Sequence, residues 1–433
     1  MSATSRRPLE AGTAQRPLQT RGALFVVYAG YCARYLSLLI LIPYYGRVLG
    51  AAEYGRVLTA MSLYMVVWLI GNYSFSVIGV RTIAGVSDRA QLAREVARHL
   101  KARALLALAG LAIGLAATWL SPVLRADPFY GVAATATGIV SSFNLGWFFQ
   151  GTRRHGRSIA LEAAGFALQV VLVLSLVRGP RDGWLVLASL FASIAIVTAC
   201  AYLLVWRQLR LPLWRGGGAR ALIREGASMF VVGGTPQLSL NAASYIVSLV
   251  ATPVQVGWFG SAERLTAAVL GLMAPANQVL VGAVSERLKD SRARREGHLL
   301  MRQSTIALTA FGLLAAMATI GLAPFIVPLV FGRGFEPAVP ILQTLALLFP
   351  FAAFAQAATA YVLVPLHEER LALPITLSCA ALNLLAMFVL AMQLGGQGAA
   401  IARVATDVLA AGLLARLLWK LGLHVRLRSK EAR

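Results

Sequence analysis

The composition of this chain sets its class. It has 433 residues, of which 58% are hydrophobic and only 13% are charged, and its formal net charge is +23. So small a charged fraction excludes a water-soluble globule of this size. We therefore expect an all-α polytopic membrane protein, built from apolar segments long enough to cross a bilayer.

Apolar windows of that length recur along the whole chain. A helix needs about 20 apolar residues to cross a hydrocarbon core about 30 Å thick. Helices are expected because lipid offers no partner to backbone N–H and C=O groups, and no segment alternates as a barrel strand does. Twelve spans are predicted, at residues 23–45, 57–80, 104–124, 129–150, 158–177, 184–206, 227–250, 258–284, 304–330, 339–364, 371–392 and 399–419.

Arginine and lysine are concentrated in every second gap between these spans. One set of gaps holds most of the 40 basic residues, and the other set holds few. Because basic loops remain on the cytoplasmic side, both termini are predicted to be cytoplasmic. The predicted parts are a tail (1–22), a six-helix lobe (23–206), a central loop (207–226), a second six-helix lobe (227–419) and a basic tail (420–433).

The excess of positive charge is explained by this topology and by contact with anionic lipids of the inner leaflet. Basic residues that are divided by span are not typical of a nucleic-acid patch, so no nucleic-acid partner is predicted. The segment 81–103, which contains His99 and Arg103, is predicted as one of the basic cytoplasmic loops.

Motifs of soluble catalysis are absent from the sequence. The three cysteines are isolated in apolar spans without CxxC spacing, the five histidines lack HExxH spacing, and GxxxxGK[ST] does not occur. The outer loops are too short to contain a catalytic domain. We therefore predict no catalytic residue, no metal site and no cofactor, and a transporter or a structural membrane protein rather than an enzyme.

A short internal match indicates that the two halves are repeats. Tyr54–Arg56 leads into Ala60 after the first span, and Val256–Trp258 leads into Ala262 after the seventh. With six spans in each half the repeats would be parallel, and a substrate site is expected where they meet near the middle of the membrane.

Five short segments of the chain carry family-like motifs, in the expected order. They are Pro43–Gly50 with Glu53–Gly55, Gly71–Phe75 with Arg81, Trp147–Gly151, Phe331–Phe335, and Gly395–Ala402. Together they resemble the polysaccharide flippases of the Wzx type. The chain departs from that family at Thr152 and Arg153, where an acidic residue is common.

The resemblance implies a MATE-like fold of the MOP superfamily, with two six-helix lobes around a central cavity that opens alternately to each side. It also implies that the substrate is an undecaprenyl-pyrophosphate-linked oligosaccharide, flipped across the bacterial inner membrane for surface polysaccharide such as O-antigen or exopolysaccharide. A polysaccharide polymerase and export proteins are the implied partners. No covalent bond would be made or broken.

A polar glycan and a pyrophosphate need a hydrated, cation-bearing groove to cross hydrocarbon. Arg34 lies about eleven residues into span one, too deep to snorkel easily, and is the leading candidate for that cation. Tyr31 and Tyr35 lie on a neighbouring face, where they would stack on sugar rings or simply pack between helices. The structural alternative for Arg34 is an ion pair with Glu162 or Asp407.

Further substrate contacts are predicted in the second half of the chain. Gln237 and Asn241 add polar groups to span seven. Arg264 and Arg403 are counted with the arginines on the outer side or at helix ends facing it, and both are also candidates for the cavity.

Three carboxylates are candidates for ion coupling. Arg403 and Asp407 are four residues apart and share a helix face, so they can form a purely structural pair. If that pair faces the cavity, Asp407 becomes a proton or sodium site, and Glu162 and Glu263 are further candidates.

Three other functions remain open. A MATE-type small-molecule antiporter would share the architecture but should have an acidic cavity. A lipid II flippase of the MurJ type normally has fourteen spans. A glycan polymerase or ligase should carry a large outer loop.

Overall fold

The computed structural model describes residues 17–209, 218–273, 280–284, 286–287, 294–366 and 368–421, with side chains from residue 40 onward except at 294 and 369. Every regular element in these ranges is helical. The helices of the first half are α1 (Pro17–Asn72), α2 (Phe75–Ile83), α3 (Arg89–Leu120), α4 (Pro122–Ala126), α5 (Pro128–Ser142), α6 (Gly146–Gly151), α7 (His155–Leu176) and α8 (Gly183–Leu209).

The second half repeats this arrangement of long and interrupted helices. Its helices are α9 (Ala219–Asn241), α10 (Ala243–Ser248), α11 (Pro253–Gly271), α12 (Arg294–Phe331), α13 (Ala338–Ala346), α14 (Phe349–Ala357) and α15 (Leu373–Lys420). A π-helical turn, Ala358–Leu363, follows α14, and a 3-10 turn, Glu369–Ala372, precedes α15.

Eight helical segments of the described chain are long and apolar enough to cross a membrane. The two longest are Ile40–Ile83, which begins within α1, and Arg370–Lys420, which contains α15. Each bends sharply at one glycine, at Gly50 with φ 72° and at Gly395 with φ 57°. Glycine adopts this left-handed conformation without steric cost, so each long helix can turn back as two spans. In the part of the chain that is described, each of the twelve predicted spans falls mainly on helix.

The seventh and eighth predicted spans are the more polar ones. They correspond to α9 with α10 and to α11, neither of which is among the eight strongly apolar segments. A span that faces a polar interior rather than lipid tolerates such a composition.

The connections between helices alternate between two ends of the bundle. Gly50, Gly395, the 249–252 turn and the 332–337 turn lie at one end, which we call the glycine end. The connections at 84–88 and 152–154 lie at the opposite end. We call α1–α8 the first lobe and α9–α15 the second lobe.

Two predicted loops are shorter than expected. Residues 89–103 belong to α3 and residues 219–226 belong to α9, whereas the sequence predicted cytoplasmic loops at 81–103 and 207–226. Packing explains both corrections, because Ala102 and Leu222 are buried in one cluster with Phe75. Charge in the sequence favoured a loop at these positions, but the buried face of each helix decides the structure.

Candidate functional site

A cavity of about 340 Å³ lies between the two lobes. Its walls come from the part of α1 after Gly50 and from α9 to α11, α13 and α15. Most of its lining is apolar, with Met61, Met65 and Met387 among the larger side chains. Its polar lining side chains are Ser62, Gln237, Asn241, Ser244, Glu263, Arg264, Thr266 and Arg403.

Helix α11 positions two of the three charged residues in this cavity. The helix begins with a capping box, in which the Thr252 side chain accepts from the Gln255 backbone N–H, and Pro253 occupies the first turn. Glu263 and Arg264 follow in its middle, so their backbones are fixed deep in the bundle. The Ser244 hydroxyl donates to Glu263 Oε2 at 3.3 Å.

Among the described residues, no carboxylate lies within 4.0 Å of the Arg264 guanidinium, although the neighbouring Glu263 interacts with it electrostatically. This guanidinium has no hydrogen-bond or ion-pair partner among those residues, and the Arg264 side chain is only partly buried. A guanidinium is planar and presents five N–H donors in a fork that matches the oxygens of a phosphate. The cavity is therefore suited to bind an anionic group.

Arg403 differs from Arg264 because it is paired. Its Nε donates to Asp407 Oδ2 at 3.0 Å, one helical turn away on α15. Arg403 and Leu240 also line a second cavity of about 330 Å³ inside the second lobe. The Arg403 side chain thus separates the central cavity from this lobe cavity.

Hydrogen-bonded side chains line the lobe cavity beside Asp407. Asn383 Nδ2 donates to Ser239 Oγ at 3.1 Å, and Thr406 Oγ1 donates to Asn383 Oδ1 at 3.1 Å. These three side chains join α9 to both halves of α15 across Gly395. Asp407 lines the same cavity as these three side chains.

Glu162 lies apart from the other candidates. It lines a cavity of about 170 Å³ within the first lobe, where Tyr64, Asn144 and Gln169 contribute further polar atoms. That cavity shares no lining residue with the central one. The structure therefore separates Glu162 from Glu263 and Asp407.

The structure thus brings Gln237, Asn241, Glu263, Arg264 and Arg403 together around one cavity. Arg264 and Arg403 were counted with the outer arginines, and this is corrected, because both side chains reach the inter-lobe space from mid-helix positions. Their predicted roles in substrate binding and coupling remain predictions.

The candidates in span one are only partly described. Tyr31, Arg34 and Tyr35 belong to the helical backbone of α1, and their side chains lie outside the described residues. Their roles stay predictions.

Two buried polar residues at the opposite end from the glycine end were assigned to a loop by the sequence. Arg103 is 1% exposed. Its Nη1 donates to the carbonyl oxygens of Ser142 and Asn144, in the short non-helical connection between α5 and α6. His99 is fully buried and stacks on Trp147 with ring centroids 4.6 Å apart. Their spacing of four residues on an otherwise apolar helix face was the available signal.

Comparison with known proteins gives one family and several relatives. Residues 20–287, more than half of the chain, match the family described as "Polysaccharide biosynthesis protein". A proposed O-antigen transporter from Shigella dysenteriae is 24% identical over 409 residues, which cover 89% of this chain and 96% of that protein.

Solved structures show the fold. The chain is similar to an inward-facing multidrug resistance MATE family transporter of the MOP superfamily, with a TM-score of 0.67, 17% identity and coverage of 95% of this chain and 100% of the other. It is similar to the lipid II flippase MurJ in an inward closed conformation, with a TM-score of 0.70, 10% identity and coverage of 92% and 87%. These likenesses confirm the predicted all-α, polytopic, MATE-like fold.

Proposed function

Because this chain belongs to the polysaccharide biosynthesis protein family, we propose that it is a polysaccharide flippase of the bacterial inner membrane. Its substrate in this proposal is an oligosaccharide repeat unit linked to undecaprenyl pyrophosphate. The substrate moves from the cytoplasmic to the periplasmic leaflet by alternating access, and no bond is made or broken. The similarity to a proposed O-antigen transporter over 89% of the chain supports this substrate class.

The observation that carries the proposal is the Arg264 guanidinium in the cavity between the lobes, which makes no ion pair with any described residue. A charged side chain in the middle of a membrane costs from about 2.5 kcal/mol upward unless water or a partner compensates it. A pyrophosphate supplies such a partner and is delivered by a lipid that cannot leave the membrane. Arg264 is therefore assigned to the pyrophosphate.

Orientation follows from the arginine pattern. The basic connections lie at the end opposite to the glycine end, so the glycine end faces the periplasm and both termini face the cytoplasm. Anionic inner-leaflet lipids contact the basic end. A polymerase and export proteins then receive the flipped product on the periplasmic side.

Sugar recognition is assigned to polar and aromatic groups on both sides of the cavity. Gln237 and Asn241 line it on α9, and Tyr31 and Tyr35 are proposed to complete it from α1. Arg34 is proposed as a second cation for the pyrophosphate.

Coupling to an ion gradient is assigned first to Asp407, with Glu263 and Glu162 as further candidates. An anion that draws Arg403 into the central cavity would leave Asp407 free to take a proton or a sodium ion. The test is a protonophore added at constant ATP. Proton coupling predicts that flipping stops, and continued flipping would refute proton coupling; a sodium ionophore applied in the same way tests sodium coupling, and continued flipping under both would refute gradient coupling.

A small-molecule antiporter is the weaker alternative. The described lining of the central cavity contains two arginines and one glutamate, which favours an anion over a cationic drug. A lipid II flippase would bind the same carrier pyrophosphate. The two functions are therefore distinguished by which product, surface polysaccharide or cell wall, is lost when the gene is deleted.

Deletion of the gene tests the function. We expect loss of surface polysaccharide, accumulation of the lipid-linked repeat unit and unchanged cell-wall synthesis. Complementation with Arg264→Ala should fail, Arg264→Lys should restore a minor fraction, and the exposed Arg125→Ala should restore it fully. Normal surface polysaccharide in the deletion strain would overturn the proposal.

A further inference from the structure

The two lobes touch at the glycine end through a reciprocal pair of glycines. Gly55, just after the bend in α1, faces the first turn of α11, and Gly257 in α11 faces the start of the same α1 segment. A Cβ on Gly55 would lie 1.8 Å from the carbonyl oxygen of Pro253. A Cβ on Gly257 would lie 2.1 Å from the carbonyl oxygen of Ala51.

This contact has the symmetry of the repeat. Gly257 follows Gly55, and Pro253 follows Ala51, at the same interval of 202 residues. Each lobe therefore uses the same position to receive the backbone of the other lobe. The short sequence match around Gly55 and Gly257 marks the residues that form the contact.

The obstructing atoms are backbone atoms of helix, which cannot rotate away as a side-chain end can. Glycine is the residue that permits such close approach of two helix backbones in a membrane. An added methyl group at either position must therefore separate the two helices, and they belong to different lobes.

Two polar seams flank this glycine pair and join the same two lobes. On one side, Arg47 Nη2 donates to the carbonyl oxygen of Leu329. On the other side, the hydroxyls of Ser121 and Ser248 lie 2.8 Å apart, and the Tyr245 hydroxyl donates to the carbonyl oxygen of Ala117 at 2.8 Å. The closure at this end thus consists of a backbone contact between two hydrogen-bonded seams.

An aromatic cluster seals the seam on the Arg47 side. Tyr54 lies beside Tyr45 in the first lobe and beside Phe331 and Phe335 in the second, with ring centroids 6.1 to 6.2 Å apart. All four rings are almost fully buried. Opening this end would expose these rings to water, so their burial stabilises the closed arrangement in which the glycine contact is made.

We propose that Gly55 and Gly257 form a symmetric latch that sets the outward-closed state of the protein. The alternating access of the proposed function requires this latch to open. A methyl group at either glycine holds the lobes apart at the glycine end and shifts the population toward the state open on that side.

Thiol accessibility tests the latch without any substrate. The three native cysteines are replaced, Met61→Cys places one thiol in the central cavity, and a membrane-impermeant maleimide is applied from the outer side. We expect Gly55→Ala and Gly257→Ala each to raise the labelling rate at least about fivefold, in line with the population shift. Gly271→Ala is the matched control, because it lies on the same helix as Gly257 with open space around it.

Equal labelling of folded Gly55→Ala, Gly257→Ala and Gly271→Ala proteins would overturn the latch. Should the alanine variants fail to fold, Ser121→Cys with Ser248→Cys replaces them. Oxidation should then cross-link this end and block transport, and a reductant should restore it. Undiminished transport by a fully cross-linked protein would overturn the latch equally. If Gly55→Ala and Gly257→Ala raise the labelling as expected but the wild-type chain supports no polysaccharide export, the proposed function is refuted and the latch stands.

Discussion

Arg403 and Asp407 form an ion pair within one turn of α15, with Nε and Oδ2 3.0 Å apart. Their side chains are 17% and 25% exposed, and Arg403 borders both the central and the lobe cavity. A partly buried pair whose cation also lines the central cavity can stabilise the fold and can also take part in coupling to an ion. Mutation can separate the two roles.

We expect Arg403→Ala and Asp407→Ala each to destabilise the protein by roughly 1–3 kcal/mol, less than a fully buried pair because water reaches both groups. The double variant should be closer to the wild-type protein than either single variant, because no charge is then left without a partner. The measurement is thermal unfolding in detergent.

Arg416→Ala, at an exposed site on the same helix, is the control and should leave the melting temperature unchanged. Additive single effects would show that the pair does not interact. A double variant that is stable but does not export polysaccharide would favour a role of the pair in ion coupling over a purely structural role.

The all-α, polytopic fold and the order of its helical segments could be predicted from the sequence, because apolar windows are local signals. The bends could not be predicted as such, since Gly50 and Gly395 are only two of many glycines and their left-handed conformation depends on the returning helix. The prediction of a loop at 81–103 was wrong for a related reason. Charged residues indicate that one face of a helix is solvated, but they do not end the helix.

The sequence predicted which types of residue form the candidate site better than it predicted where each residue lies in the fold. Gln237 and Asn241 stood out as polar residues in a span, and Arg264 was counted at an end, although it lies in the middle of α11. Counting charges in gaps cannot tell which face of a helix a residue occupies. The Gly55 and Gly257 contact was visible as a repeat, but its meaning required the two lobes to be placed together.

Arg103 offers a test of internal polar packing. We expect Arg103→Met to destabilise the protein by roughly 1–3 kcal/mol, because the carbonyl oxygens of Ser142 and Asn144 lose their donor between α5 and α6. The guanidinium's Nε and Nη2 are buried without hydrogen-bond partners, so removing them offsets part of this loss. Arg103→Lys should rescue only in part, since a lysine has one donor centre. Thermal unfolding in detergent is the measurement.

Arg94→Ala is the matched control on the same helix, because its side chain is 59% exposed and its approach to Asp88 is long, at 3.9 Å. An exposed pair of this kind contributes about 0–1 kcal/mol. Equal melting temperatures for Arg103→Met and Arg94→Ala would contradict a structural role for Arg103.

The orientation can be checked with alkaline phosphatase, which needs disulfides and is active only outside the cytoplasm. A fusion at the C-terminus should be inactive, and the enzyme inserted in the 177–182 connection should be active. Fluorescent protein at the same two sites should give the opposite pattern. Activity at the C-terminus would reverse the assignment of the two ends and place the latch on the cytoplasmic side.

Arg34 carries the remaining prediction from the sequence. A cation so deep in span one raises the free energy of the protein in the membrane unless it faces water, a bound anion or a carboxylate of the protein. We expect Arg34→Ala to lower surface polysaccharide at least about tenfold and Arg34→Lys to retain part of it, because lysine binds phosphate as a point charge. Immunoblots of the mutant protein must show normal membrane levels, since loss of a structural pair with Glu162 or Asp407 would lower them. Full export by the alanine variant would remove Arg34 from the site and leave Arg264 as its principal cation.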